Sequence, residues 1–129
     1  MDPARLNSIP LFEGLSKKER EQVARLADEV DVPEGKQLIE QGEIGWEFFV
    51  LESGAVEVRT GDEVIATLGP GDFFGELALQ DPEHRRTASV VATAPSTFIV
   101  MTGQAFRSVE GEMPEVAEKI RDAVAGYGR

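Results

Sequence analysis

Hydrophobic positions follow two different spacings along this chain of 129 residues. In the first thirty residues they recur at three- and four-residue steps, which indicates helices with one buried face. These positions are Leu6, Ile9, Phe12, Val23, Leu26, Ala27 and Val30. Ser16 and Glu19 have the spacing of a capping box, in which each side chain accepts a hydrogen bond from the other residue's backbone N–H. A helix is therefore predicted to begin just after Ser16.

From Pro33 to about Met101 the pattern changes, and short runs of β-branched and aromatic residues alternate with glycine-containing breaks. This pattern predicts strands at residues 37–40, 47–52, 55–59, 64–68, 88–92 and 97–101. Tight hairpin turns are expected at Ser53-Gly54 and Gly61-Asp62, with a further turn at residues 69–72. Short strands at this spacing are typical of a β sandwich or barrel.

Helical spacing returns at Gly103, after which Phe106 and Val109 share one face, and Pro114 is placed to open a second helix. The apolar positions of that second helix, 116, 120 and 124, are spaced by four. The predicted fold is mostly β with flanking helices, in a single domain over residues 1–129. We expect helices in residues 1–30, a β core in 31–102 and further helices in 103–129.

The chain is strongly acidic, with a formal net charge of -11, and contains no cysteine. An acidic surface repels polyanions at long range, so neither a direct nucleic-acid partner nor an anionic membrane surface is expected. The absence of cysteine excludes disulfides and zinc–thiolate sites. The sequence shows neither a secretory leader nor the ~20-residue apolar run that a membrane span needs. We therefore expect a cytoplasmic domain.

One segment, residues 74–89, combines groups that suit a sugar phosphate. Gly75 allows an unusual backbone angle and the close approach of a ligand. Glu76 opens a helix of barely more than one turn, whose first N–H groups are unpaired and attract anions. Arg86 follows ten residues later, and its guanidinium fork suits a phosphate. A carboxylate such as Glu76 repels phosphate but accepts hydrogen bonds from hydroxyls, so the combination indicates a ribose phosphate.

The order of residues in this segment is specific enough to indicate a family. Phe74-Gly75-Glu76-Leu77-Ala78-Leu79, followed by Arg86-Thr87-Ala88-Ser89-Val90, resembles the phosphate-binding cassette of the cyclic nucleotide-binding domain family. The interval from Glu76 to Arg86 is similar to that of the family's bacterial activators, whereas the kinase-type cassette is slightly shorter. Glycines at 35, 42, 54, 69, 71 and 75 also fit the family's pattern of strands and turns.

The resemblance implies a β-roll, a jelly-roll-like double-stranded β-helix, with helices before and after it. It implies that Glu76 accepts the ribose 2′-hydroxyl and that Arg86 pairs with the cyclic phosphate. The ligand-binding site would be completed by Gly75 and by the backbone N–H groups of Leu77, Ala78, Thr87 and Ala88. Both cAMP and cGMP are possible ligands. In the family's cGMP receptors, a threonine directly after the cassette arginine, the position of Thr87, forms a hydrogen bond with guanine. Tyr127 is a candidate lid over the base.

The resemblance also implies regulation rather than catalysis, so the chain is not expected to be an enzyme. Ligand binding would order the cassette and let the C-terminal helices repack. That change would act on an unidentified protein partner or a fused effector domain. No cofactor or metal is expected beside the nucleotide, and the protein would be a monomer or a weak homodimer.

Two alternative functions stay open at this point. In a degenerate, non-binding domain, Arg86 would only pair with Glu76, and the protein would serve as an interaction module. A cupin-type metalloenzyme shares the β-barrel pattern but needs two or three histidines, and the chain has one, His84. His84 and Arg85 are predicted to be exposed loop residues.

Overall fold

Two four-stranded antiparallel sheets face each other in the computed structural model, which describes residues 1–79, 81 and 83–126. The strands are β1 Asp28–Val32, β2 Gln37–Ile39, β3 Glu47–Ser53, β4 Val56–Thr60, β5 Glu63–Leu68, β6 Phe73–Phe74, β7 Ser89–Ala92 and β8 Ser96–Thr102. One sheet has the order β1-β8-β3-β6 and the other β2-β7-β4-β5. The predicted β-roll, mostly β with flanking helices, is confirmed.

Helical segments stand before and after the sheets. The N-terminal part contains 3₁₀ helices at Pro3–Leu6 and Pro10–Phe12 and the helix α1, Lys17–Leu26. The C-terminal part contains α2, Gly103–Glu112, and α3, Pro114–Gly126, and a further 3₁₀ helix, Glu76–Leu79, follows β6. Among the residues described, no helix combines the length and apolarity required to cross a bilayer.

The prediction that helical structure extends to Val30 is wrong. Helix α1 ends at Leu26, and residues Asp28–Val32 instead form strand β1. This strand pairs along its whole length with β8, from Asp28 opposite Val100 to Val32 opposite Ser96. The apolar spacing alone could not reveal this pairing, because a strand at the edge of a sheet is specified by its neighbour more than by its own residues.

The predicted hairpin at Ser53-Gly54 is also wrong, although the one at Gly61-Asp62 is confirmed by the pairing of β4 with β5. Strands β3 and β4 lie in different sheets, so the chain crosses from one sheet to the other at Gly54. Ser96 Oγ accepts a hydrogen bond of 3.2 Å from the N–H of Ala55 and so fixes this crossing. The glycine therefore predicted the position of the turn correctly. It did not predict which strands pair with those on either side of it.

Strands β3 and β8 are buried on both faces and separate two hydrophobic cores. Phe48 and Val50 of β3 belong to a core shared with helices α1, α2 and α3. The alternate residues Phe49 and Leu51 belong to a second core between the two sheets. This alternation follows from the two-residue period of a strand, and it explains the nearly continuous apolar run of β3.

Strand β6 repeats this division just before the cassette. Phe73 packs against the helical core, and its ring lies 5.7 Å from that of Phe48. Phe74 enters the core between the sheets, where its ring stacks on Phe49 at 4.9 Å and meets the edge of Phe98 at 5.8 Å. The segment that leads into the cassette is therefore held from both sides.

A polar contact joins the N-terminal and C-terminal helices. The Glu19 carboxylate accepts a hydrogen bond of 2.8 Å from the N–H of Ser16, and Ser16 Oγ accepts one of 3.1 Å from the N–H of Glu19. This arrangement confirms the predicted capping box. The same carboxylate binds Lys119 Nζ of α3 at 2.9 and 3.1 Å. The hydrogen bond from Ser16 and then the contact with Lys119 lower the pKa of Glu19.

Replacing Glu19 with glutamine should lower the free energy of unfolding at about pH 7 and have much less effect at about pH 3. Because folding lowers the pKa of Glu19, its stabilisation is present above the unfolded-state pKa and is lost as the pH falls through the folded-state pKa. Urea denaturation at the two pH values measures the difference. Glu118→Gln, which removes an exposed carboxylate beside Lys119, is the matched control. Equal destabilisation by Glu19→Gln at both pH values would contradict this account.

Candidate functional site

A cavity of about 180 Å³ opens beside the 3₁₀ helix that follows β6. Its apolar wall comes from the sheets and consists of Ile39, Val58, Phe74 and Val90. The other wall comes from the predicted cassette, and its residues include Gly75, Glu76, Leu77, Arg86, Thr87 and Ala88. The fold therefore brings these six predicted site residues together around one space. The backbone of Ala78 lies in the same 3₁₀ helix, and Tyr127 lies outside the described residues.

Gly75 connects β6 to the 3₁₀ helix with a backbone φ of +79°, which confirms the unusual angle predicted for it. Any side chain would be strained in this conformation. A Cβ atom would also lie 2.7 Å from the carbonyl oxygen of Glu47 and 2.9 Å from Nη1 of Arg86. The backbone at Gly75 thus leaves room for the guanidinium that the cavity contains.

Arg86 is a buried cation, with only 8% of its surface exposed. Its Nη2 donates a hydrogen bond of 2.8 Å to the carbonyl oxygen of Glu47, and Nη1 donates a long one of 3.5 Å to that of Gly75. Its backbone N–H donates to the Glu43 carbonyl at 2.7 Å, and its own carbonyl accepts from the Gly42 N–H at 2.8 Å. The loop between β2 and β3 therefore fixes the main chain of Arg86, while the carbonyls of Glu47 in β3 and of Gly75 fix its side chain.

The electrostatics of the cavity favour an anion at Arg86. Burial lowers the pKa of the Arg86 guanidinium, and the negative charges of Glu47 and Glu76 oppose that shift. Arginine nevertheless stays protonated in proteins. The hydrogen bonds of its guanidinium to Glu47 and Gly75 go to neutral carbonyl groups, which compensate a buried charge less well than an anion does. A small anion that enters the cavity would therefore be stabilised beside Arg86.

The loop between β2 and β3 packs against the Arg86 guanidinium, a contact that the sequence did not predict. A Cβ atom at Gly45 would collide with the Arg86 guanidinium, so this glycine permits the close approach of the loop. Ile44 forms an isolated antiparallel bridge with Arg85, which holds the loop against the cassette. The signal in the sequence was the glycine itself, but nothing in its position indicated the arginine that it contacts.

The two residues before Arg86 lie in different surroundings. Arg85 is exposed, as predicted, and its Nη1 donates a hydrogen bond of 2.9 Å to the carbonyl of Gly42. His84 was predicted to be exposed, and this prediction is wrong, because His84 is half-buried and lines the cavity. Within residues 1–79, 81 and 83–126, no three or more His, Cys, Asp or Glu side chains are grouped to hold a metal ion.

Known proteins are similar to this chain in sequence. Residues 29–110 match the sequence profile of the family described as cyclic nucleotide-binding domain. The chain is 38% identical to a cAMP-dependent protein kinase regulatory subunit of Mycosarcoma maydis, over 95% of this chain and 25% of that protein. It is 33% identical to a cGMP-dependent protein kinase of Eimeria tenella, over 86% of this chain and 11% of that protein.

The architecture is similar to that of the Thermus thermophilus catabolite activator protein. The TM-score is 0.78 and the sequence identity 30%, over 90% of this chain and 56% of that one. The chain spans about a quarter of the length of the fungal regulatory subunit. Because the family profile covers more than half of the chain, and the cavity is built from the predicted cassette, this protein belongs to the cyclic nucleotide-binding domain family.

Proposed function

We propose that this domain is a regulatory sensor that binds cAMP or cGMP in the cavity beside Arg86. The observation that carries the proposal is the buried guanidinium of Arg86, which lines the same cavity as the carboxylate-bearing Glu76. A cation and a carboxylate in one small space suit a ligand with both an anionic group and hydroxyl groups. A ribose that carries a cyclic phosphate has both.

The cyclic phosphate would bind Arg86, which would exchange its long contact with the Gly75 carbonyl for a charge-assisted hydrogen bond. Backbone N–H groups of Leu77, Ala78, Thr87 and Ala88 would supply further donors. Glu76 would accept a hydrogen bond from the ribose 2′-hydroxyl. The volume of about 180 Å³ is below the ~300–1,000 Å³ of sites that enclose whole drug-sized ligands. The sugar and phosphate would therefore be enclosed, while the base would lie at the mouth of the cavity.

The base of the ligand would be either adenine or guanine. Thr87 is exposed and lines the cavity, so its hydroxyl is available at the mouth, where a base would lie. The fungal relative is named for cAMP and the Eimeria relative for cGMP, which keeps both nucleotides in the proposal. Tyr127 remains the predicted lid residue.

The regulatory step would pass through Leu79, the last residue of the 3₁₀ helix in the cassette. Leu79 is only 7% exposed and belongs to the helical core, together with Phe106 and Val109 of α2. The 3₁₀ helix and α2 are in contact. A ligand that moves the cassette would therefore shift the packing of α2 and α3, provided that it binds one arrangement more tightly than the other. The partner would be another protein or a fused effector domain.

Arg86→Ala should weaken cAMP binding by about 100-fold or more, because it removes a buried charge that pairs with the phosphate. Arg85→Ala is the matched control, since it removes a neighbouring but exposed arginine, and it should change the affinity by less than about threefold. Isothermal calorimetry with cAMP and cGMP measures both affinities, and 5′-AMP tests the need for a cyclic phosphate.

Equal losses in the two arginine variants would contradict the proposed role of Arg86. If the ligand-free wild-type protein binds neither cyclic nucleotide, the sensor proposal is wrong. That result would favour the alternative of a degenerate domain that acts as an interaction module.

Leu79→Ala should leave most of the cAMP affinity in place but reduce the ligand-induced change in the helices, because the cassette would lose its contact with the helical core. Hydrogen exchange of residues 103–125, with and without cAMP, measures that change. Leu79→Met keeps the side-chain volume and should restore the coupling. This route would be contradicted if cAMP protected residues 103–125 from exchange equally in Leu79→Ala and in the wild type. It would also be contradicted if cAMP did not change the hydrogen exchange of these residues in the wild type.

A further inference from the structure

We propose that His84 is an additional ligand-binding residue of this cavity, whose imidazolium contributes a second positive charge to the bound cyclic phosphate. The inference rests on the proposed function. It gives the site a property that the cassette pattern alone does not imply, namely a nucleotide affinity that increases as the pH falls through the titration range of histidine.

The position of His84 is fixed by hydrogen bonds of its backbone on both sides. Its N–H donates a bond of 3.1 Å to the carbonyl of Asp81, and its carbonyl accepts one of 3.3 Å from the N–H of Gly45. Gly45 is also the residue on which the Arg86 guanidinium lies. The loop between β2 and β3 therefore contacts both His84 and Arg86, and both residues line the cavity.

A second cation would be useful because the donors of Arg86 are already partly used. Its Nη2 donates to the Glu47 carbonyl at 2.8 Å, and the close approach of Gly45 restricts access to the Nε side. Arg86 therefore offers the phosphate only part of its five-donor fork. A cyclic phosphate has two oxygens outside its ring, so a donor at His84 would complement the remaining donors of Arg86.

The charged groups around His84 explain why its protonation should matter. The elements that pack around this loop carry Asp81, Glu83, Arg85, Arg86, Glu76, Glu40, Glu43 and Glu47. Acidic residues outnumber the two arginines in this set. A phosphate bound beside Arg86 would add a further negative charge, which interacts favourably with a protonated imidazole.

Two facts make this proposal testable by pH. The chain contains a single histidine, and histidine is the side chain that ordinarily titrates between about pH 5 and pH 8. The cyclic phosphodiester keeps one negative charge throughout that range. The main competitor is Glu43, because a hydrogen bond with the Glu40 carboxyl and the negative charge of Glu40 raise the pKa of Glu43. Glu43 also contacts Arg86 through its backbone carbonyl.

The experiment is calorimetric titration of the full chain with cAMP at several pH values from about 5.5 to about 8. Wild-type protein should bind about twofold to fivefold more tightly at the acidic end, as expected for a partly exposed ion pair. His84→Gln keeps a hydrogen-bond donor but cannot become charged, and its affinity should not vary with pH. Glu43→Gln is the matched control and should retain the dependence of the wild type.

The outcomes separate this inference from the proposed function. If the wild type binds cAMP but His84→Gln shows the same pH dependence, His84 is not a ligand-binding cation, although the sensor function stands. A dependence that disappears in Glu43→Gln but persists in His84→Gln also overturns the inference, in favour of the Glu40–Glu43 pair. If the wild type binds no cyclic nucleotide at any pH, the proposed function fails and the role of His84 fails with it.

Discussion

The burial of the Arg86 guanidinium is the constraint on which the site depends. A buried cation needs partners, and the main-chain carbonyls of Glu47 and Gly75 provide them. The two glycines beside it, Gly45 and Gly75, leave the space that the side chain occupies. These are contacts with neutral groups, so an anion of the right size could bind the guanidinium more strongly. The buried guanidinium therefore has protein partners and could still bind a phosphate.

The same strands connect this cavity to the helices. Because β3 is buried on both faces, Phe49 contributes to the core beside the cavity while Phe48 contributes to the core beneath the helices. The cassette adds a second connection through Leu79, and β6 adds a third through the adjacent Phe73 and Phe74. Close-packed cores transmit a displacement rather than absorb it. A small movement of the cassette would therefore reach α2 and α3 by more than one route.

The sequence predicted those features that residue order alone determines. The cassette, the capping box at Ser16 and the helix that Pro114 opens each depend on a few neighbouring residues. The sequence could not predict features that depend on distant partners. Strand β1 exists because β8 lies beside it, and the turn at Gly54 joins two sheets that the local sequence does not distinguish. His84 looked exposed because its contact with Gly45 joins two loops that are far apart in the chain.

The most direct test of this account is a crystal structure of the protein with cAMP bound. We expect an oxygen of the cyclic phosphate to lie at a distance of about 2.7–2.9 Å from the Arg86 guanidinium, with the ribose 2′-hydroxyl on the Glu76 carboxylate. A nucleotide bound elsewhere on the protein would contradict the account. So would a nucleotide in the cavity that leaves Arg86 on the Glu47 and Gly75 carbonyls without any contact to the phosphate.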